Sequence, residues 1–102
     1  MKLMTKEIIN RMPKLYETEH ISCDDKIAQV KFFNPYGAGT WYGIEYDPKE
    51  ELFFGYVSIL GGYNDEYGYF SLQELESIEI FPGLGIERDR SFKPTKMRDI
   101  IK

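Results

Sequence analysis

The stretch "TWYGIEYDPKEELFFGYV", residues 40–57, reads as two strands joined by a short polar turn. In its first half Trp41, Gly43 and Glu45 alternate with Tyr42, Ile44 and Tyr46; in its second, Phe53, Gly55 and Val57 alternate with Leu52, Phe54 and Tyr56. A period of two in a run of aromatic and β-branched residues is the signature of a strand. Between the halves "DPKEE" turns the chain, with Pro48 supplying a fixed φ. Both faces of the second strand carry bulky apolar groups.

The same alternation extends outward. "KIAQVKFF" (26–33) predicts a preceding strand, with Ala28, Val30 and Phe32 opposed to Ile27, Gln29, Lys31 and Phe33, and "NPYGAG" (34–39) predicts the turn between them. After Ile59, "GGYNDE" (61–66) reads as a turn and "YGYF" (67–70) as a short fourth strand. Glycines at 55 and 68 remove side chains inside strands, so a ring or a backbone can lie close there.

Helices are expected at three places. Thr5 is placed to cap a short helix carrying Ile8, Ile9 and Met12, which Pro13 stops. "SLQE" (71–74) forms a capping box ahead of a two-turn helix with Leu72 and Leu75 inward. "PTKMRDIIK" (94–102) suggests a last helix capped by Thr95, and "IERD" (86–89) a short edge strand. These connections are short, as an antiparallel meander requires. The expected architecture is one α+β domain over residues 1–102, with a three- to four-stranded antiparallel sheet and short helices packed on it.

Charge is distributed unevenly. Residues 45–79 hold nine carboxylates against Lys49 alone, whereas residues 80–102 hold six basic residues against three acids. No stretch approaches the length of a membrane span, and the start lacks an apolar leader with a small-residue cleavage site, so the expectation is a cytoplasmic protein without membrane contact. Cys23, the single cysteine, has no partner for an internal disulfide, in keeping with a reducing compartment.

Catalytic patterns are sparse. His20 and Cys23 supply at most two ligands of a zinc site, and three apart in a loop they form no nucleophile–base pair. The glycines of "GAGTWYG" and "GLGIERD" lack the lysine and helix of a phosphate cradle. Adjacent carboxylates such as Glu50 and Glu51 belong to solvated turns. The chain is therefore expected to be no enzyme, with no cofactor and no metal.

Two binding classes remain. Aromatic strands can stack unpaired bases, but here they sit in the acidic block, which repels phosphate, so no direct nucleic-acid contact is expected. Rings with carboxylates around them suit a basic protein surface. The candidate partner-binding residues are Trp41, Tyr63 and Tyr67 among the rings and Glu45, Asp47, Glu50, Glu51, Asp65 and Glu66 among the acids, with Tyr36 and Tyr46 as further rings. The alternative is that these rings are simply the core of a small domain.

The blocks "KIAQVKFFNP", "LFFGYV", "EYGYFSLQELESI" and "GLGIERDRSFKPTKMRDI" resemble a family of short proteins of unknown function carried by conjugative plasmids, integrative elements and phages. The resemblance runs over nearly the full chain, and "FFGYV", "YGYFSLQELE" and "IERDRSFKP" are its most specific parts. A type II-A anti-CRISPR protein, an inhibitor of Cas9, is similar to the same family. What the resemblance implies is a non-enzymatic inhibitor of Cas9 or another basic nuclease complex. The second reading is an accessory protein that binds an element-encoded or host protein during conjugation or maintenance. Neither reading specifies an oligomeric state.

Overall fold

The structure, a computed structural model, describes residues 2–59 and 65–101. Helix α1 (Lys6–Arg11) starts at Thr5, whose Oγ1 accepts from Ile8 N at 3.2 Å, and ends before Pro13. A 3-10 turn at Cys23–Asp25 leads into β1 (Ile27–Ala28) and β2 (Val30–Phe33), followed by β3 (Thr40–Asp47), β4 (Leu52–Ser58) and β5 (Glu66–Ser71). Helix α2 (Leu72–Ser77) is capped by Ser71, which accepts from Glu74 N at 3.3 Å. A small hairpin, β6 (Glu79–Phe81) and β7 (Leu84–Gly85), turns on Pro82 and on Gly83, whose φ is +78°. The chain closes with β8 (Glu87–Arg88), β9 (Thr95–Lys96) and α3 (Met97–Ile100).

This is an α+β fold around a five-stranded antiparallel sheet of order β5-β4-β3-β2-β8. The sequence accounts for the four-stranded meander from β2 to β5, and β8 adds a fifth strand at the edge where "IERD" predicts one. Among the expected elements, the first strand and the final helix differ: "KIAQVKFF" breaks at Gln29 into β1 and β2, and β1 pairs with β9 outside the main sheet. Thr95 does not cap the helix: it pairs with Ala28 in a separate two-stranded sheet, and α3 is a single turn without a side-chain cap.

The sheet is covered on both faces. On one, which we call the helical face, α1 with its flanking residues and α2 bring Leu3, Met4, Ile8, Met12, Leu72 and Leu75 onto Val30, Phe32, Tyr46, Phe53 and Phe70, all buried. The other carries a smaller buried set, Ala28, Ile44 and Met97, with Tyr42, Phe54, Tyr56, Tyr67, Phe92 and Ile100 half-buried around it. Gly55 explains how the strands fit together here. A Cβ on it would stand 1.8 Å from the carbonyl oxygen of Tyr42 and 3.1 Å from the ring of Phe70, so only a hydrogen fits.

A β-bulge resets the register of β3. Gly43 faces Gly55, but the next pair is Glu45 with Phe54, which leaves Ile44 as the extra residue. Strict alternation would put Trp41, Gly43 and Glu45 together. The bulge instead sends Glu45 to the side of Ile44 and Tyr42 and turns Tyr46 inward beneath the helices.

Candidate functional site

The half-covered face is built around a row of tyrosines. Strand register puts Tyr42 opposite Tyr56 and Tyr56 opposite Tyr67, with ring centroids 6.5 and 5.1 Å apart. Phe54 lies beside the row, 6.2 Å from Tyr67 and 5.4 Å from Tyr69. Cross-strand ring pairs of this kind stabilise the sheet and present flat, rigid area.

Two lysines of the chain use these rings. Lys26 Nζ stands 5.9 Å from the centre of Phe54, and Lys31 Nζ stands 5.9 Å from that of Tyr42 while pairing with Asp89 at 3.8 Å. Both are within range of cation–π attraction. Phe92 packs on Tyr42 at 6.0 Å, and the hydroxyl of Tyr67 donates to Cys23 O at 3.1 Å.

The tyrosine hydroxyls stay protonated well above neutral pH. Burial pushes Tyr42 up, with the charge of Asp89 adding to it; burial likewise raises Tyr56, with Asp65 adding. Tyr67 is pushed up to about 12 by burial first and then by Cys23, Asp24 and Tyr56. As neutral phenols they donate hydrogen bonds rather than act as bases.

Where this row meets the end of the sheet there is a cleft of about 210 Å³, lined by Tyr42, Tyr56, Ile100 and Ile101 together with Thr40, Ser58 and Asp65. Ser58 Oγ donates to Asp65 Oδ2 at 2.9 Å. A lining that combines apolar side chains and rings with a carboxylate and hydroxyls makes an amphipathic receptor.

The candidate residues named from the sequence do not form one continuous surface. Asp65, Glu66 and Tyr67 lie together at the start of β5, next to the cleft. Asp47, Glu50 and Glu51 lie around the β3–β4 turn, at the opposite end of the sheet. There Asp47 Oδ1 accepts from Lys49 N at 3.0 Å, and Glu51 Oε1 accepts from Gln73 Nε2 at 3.0 Å. Tyr63 lies outside the described residues.

Three rings or acids are placed differently from the expectation of an exposed face. Glu45 is 4% exposed, and its carboxylate is taken by the loop before β1, accepting from Tyr16 N at 2.8 Å, Thr18 N at 3.1 Å and the Thr18 hydroxyl. Trp41 is half-buried against the core under the helices, on the far face from Tyr67. Tyr46 is buried in that same core, where burial and then the charges of Glu51, Glu76 and Asp47 raise its pKa to about 12. The bulge accounts for Glu45 and Tyr46, since it exchanges the faces on which they lie.

Tyr36 is exposed and meets Phe81 of the β6–β7 hairpin edge to face, with centroids 5.2 Å apart. Tyr42 and Tyr56, absent from the sequence-derived site, are its centre. Their signal was the pairing of two alternating strands across a fixed turn, which sets residues 42 and 56 opposite one another.

Basic residues gather at the other sheet edge. Arg11, Arg88 and Arg90 line a cleft of about 340 Å³ with Glu7 and Asp89. Two of these guanidiniums serve the fold: Arg11 donates to Gln29 O at 2.7 Å and Arg88 to Leu3 O at 2.5 Å. His20 and Cys23 are exposed. Among the described residues no group of three or more His, Cys, Asp or Glu is placed to hold a metal ion, and no helix is long and apolar enough to cross a membrane.

Fold and site together define a small α+β domain with a tyrosine-lined, carboxylate-bearing face. A family model described as "Protein of unknown function (DUF2958)" matches residues 3–99, and the chain belongs to that family. No curated protein and no solved structure is significantly similar to it.

Proposed function

We propose that this protein is a non-catalytic inhibitor that docks on Cas9 or a related basic nuclease complex and blocks DNA recognition or cleavage. One observation carries the reading. Asp47, Glu50, Glu51 and Glu66 make no ion pair with any described residue, although the chain holds thirteen Lys and Arg. Those bases that pair do so elsewhere, Lys31 with Asp89 and Arg98 with Asp25. No described cation of the chain neutralises these four carboxylates, which leaves their charge to act on a partner.

A Cas9-type complex offers a fitting surface, because it holds guide and target in positively charged channels and reads its flanking motif with arginines. Carboxylates at both ends of the sheet steer such a partner and fix its register, while the tyrosines between them supply contact area. Nine acids over 35 residues are too dilute to imitate a duplex with a charge every 1.7 Å or so. Docking on protein, with acidic assistance, is the mode that this spacing suits.

The test is a cleavage assay with purified Cas9, guide and target DNA. Dose-dependent inhibition is expected, weakened when Glu50, Glu51, Asp65 and Glu66 are changed to lysine. Absence of inhibition at large molar excess against several Cas9 orthologues overturns the proposal. Co-purification with a different element-encoded protein would then favour the accessory role.

A further inference from the structure

The half-covered face shows one kind of contact twice. Lys26 sets its ammonium over Phe54, and Lys31 sets its own over Tyr42 beside the carboxylate of Asp89. Tyr56 is the ring between these two, adjacent to Phe54 on the same face of β4 and directly across from Tyr42. Among the described residues no lysine or arginine of the chain stands over it. It lines the 210 Å³ cleft together with Asp65 and Ile100.

We propose that this cleft receives a lysine side chain of a partner protein. The chemistry matches part for part. A lysine has a four-carbon apolar stem ending in a compact ammonium with three donors. Ile100 and Ile101 offer the stem an apolar wall, Tyr56 offers the ammonium a ring face, and Asp65 with the Ser58 and Thr40 hydroxyls offers acceptors. The arrangement repeats the internal Lys31–Tyr42–Asp89 group one strand further along. An arginine suits the cleft less well, since its planar fork calls for a carboxylate with both oxygens open to it, and Asp65 is engaged within the chain, at Oδ2 by Ser58. That the lysine comes from a partner protein rests on the binding role proposed above; the cleft's preference for an alkylammonium does not.

The test uses the intact protein, isotopically labelled for NMR, and two blocked amino acids as probes: N-acetyl-lysine methylamide and its uncharged counterpart N-acetyl-norleucine methylamide. The lysine compound should shift resonances of Tyr56, Ser58 and Asp65. The norleucine compound should bind about tenfold more weakly, because it lacks the charge-assisted hydrogen bond. D65N should cost the lysine compound about the same factor while keeping the Ser58 contact, and Tyr56→Phe should leave binding within about twofold because the ring face remains. Equal response to both probes, unchanged binding to D65N, or shifts located elsewhere would overturn the assignment. No nuclease enters this titration, so a failure here is separable from a failure to inhibit cleavage.

Discussion

Glu45 and Lys26 meet through the hydroxyl of Thr18, which donates to Oε2 of Glu45 and accepts from Nζ of Lys26 at 2.9 Å. All three residues are buried. Lys26 also donates to Thr18 O, and Glu45 takes the backbone N–H groups of Tyr16 and Thr18. This group fastens the loop before β1 over the half-covered face and holds Tyr16 at a φ of +72°, a conformation that an unrestrained tyrosine avoids. Removing the carboxylate leaves the backbone donors of Tyr16 and Thr18 and the buried Thr18 hydroxyl without their acceptor. Glu45→Ala is expected to cost ~3 kcal/mol in urea unfolding, whereas Glu45→Gln, which keeps an acceptor oxygen, costs ~1 kcal/mol. A Glu45→Ala protein as stable as the parent would remove this account of the loop.

Gly55 and Gly68 face each other across β4 and β5, yet their surroundings differ. A methyl group at 55 meets the Tyr42 carbonyl at 1.8 Å, and backbone cannot give way as a side chain can; at 68 nothing lies within 4 Å. Gly55→Ala should destabilise by ~3 kcal/mol through overpacking. Gly68→Ala should be neutral or stabilise by about 0.5 kcal/mol, since it removes unfolded-state freedom inside a strand. Thermal unfolding of the two variants side by side gives the comparison, and equal losses would contradict it.

The contrast shows how far the sequence carried. Alternation located the four strands of the meander, and Thr5 and Ser71 marked the starts of two helices, because those signals are local and depend only on neighbouring residues. The bulge at Ile44 is not local: it is set by Gly43 and Gly55 approaching with their neighbours packed tightly, and one extra residue moved Glu45 and Tyr46 to unexpected faces. The β6–β7 hairpin is likewise not legible locally, since "IEIFPGLG" lacks a polar turn. The acidic block was visible as a count, but its division into two ends follows from pairing Leu52 with Ser71 and Val57 with Glu66.

Ionisation of the tyrosines should be heterogeneous. Tyr46 and Tyr67 have their pKa raised to about 12, burial being the leading cause in both, against 10.0 for an ordinary phenol. In the unfolded chain these groups lose their protons near the ordinary value, so the unfolded state binds fewer protons between about 10 and about 12. Stability is then fully present below pH about 10 and is lost as pH rises toward about 12. Tyrosinate absorbance during alkaline titration should show these two ionising last, and Tyr46→Phe and Tyr67→Phe should each remove part of the late phase. A single sharp step at the ordinary phenol value would contradict the burial of both.

The acidic groups at the two ends of the sheet should act independently on a basic partner. Asp65 and Glu66 stand at the Val57 end of β4, and Glu50 and Glu51 lie in the turn at its Leu52 end. That is about 17 Å along the strand at roughly 3.3 Å per residue, beyond the screening length of about 8 Å at physiological salt. Charges that far apart do not couple strongly, so their effects should add. Against a Cas9–guide complex, reversing either pair to lysine should slow association several-fold at low salt, and reversing both should multiply the two factors. Raising the salt should shrink each difference. Reversing the Asp65 pair should also speed dissociation, since Asp65 lines the cleft and Glu50 and Glu51 do not. Association rates that are unchanged in both variants at low ionic strength would show that neither end of the sheet meets the partner.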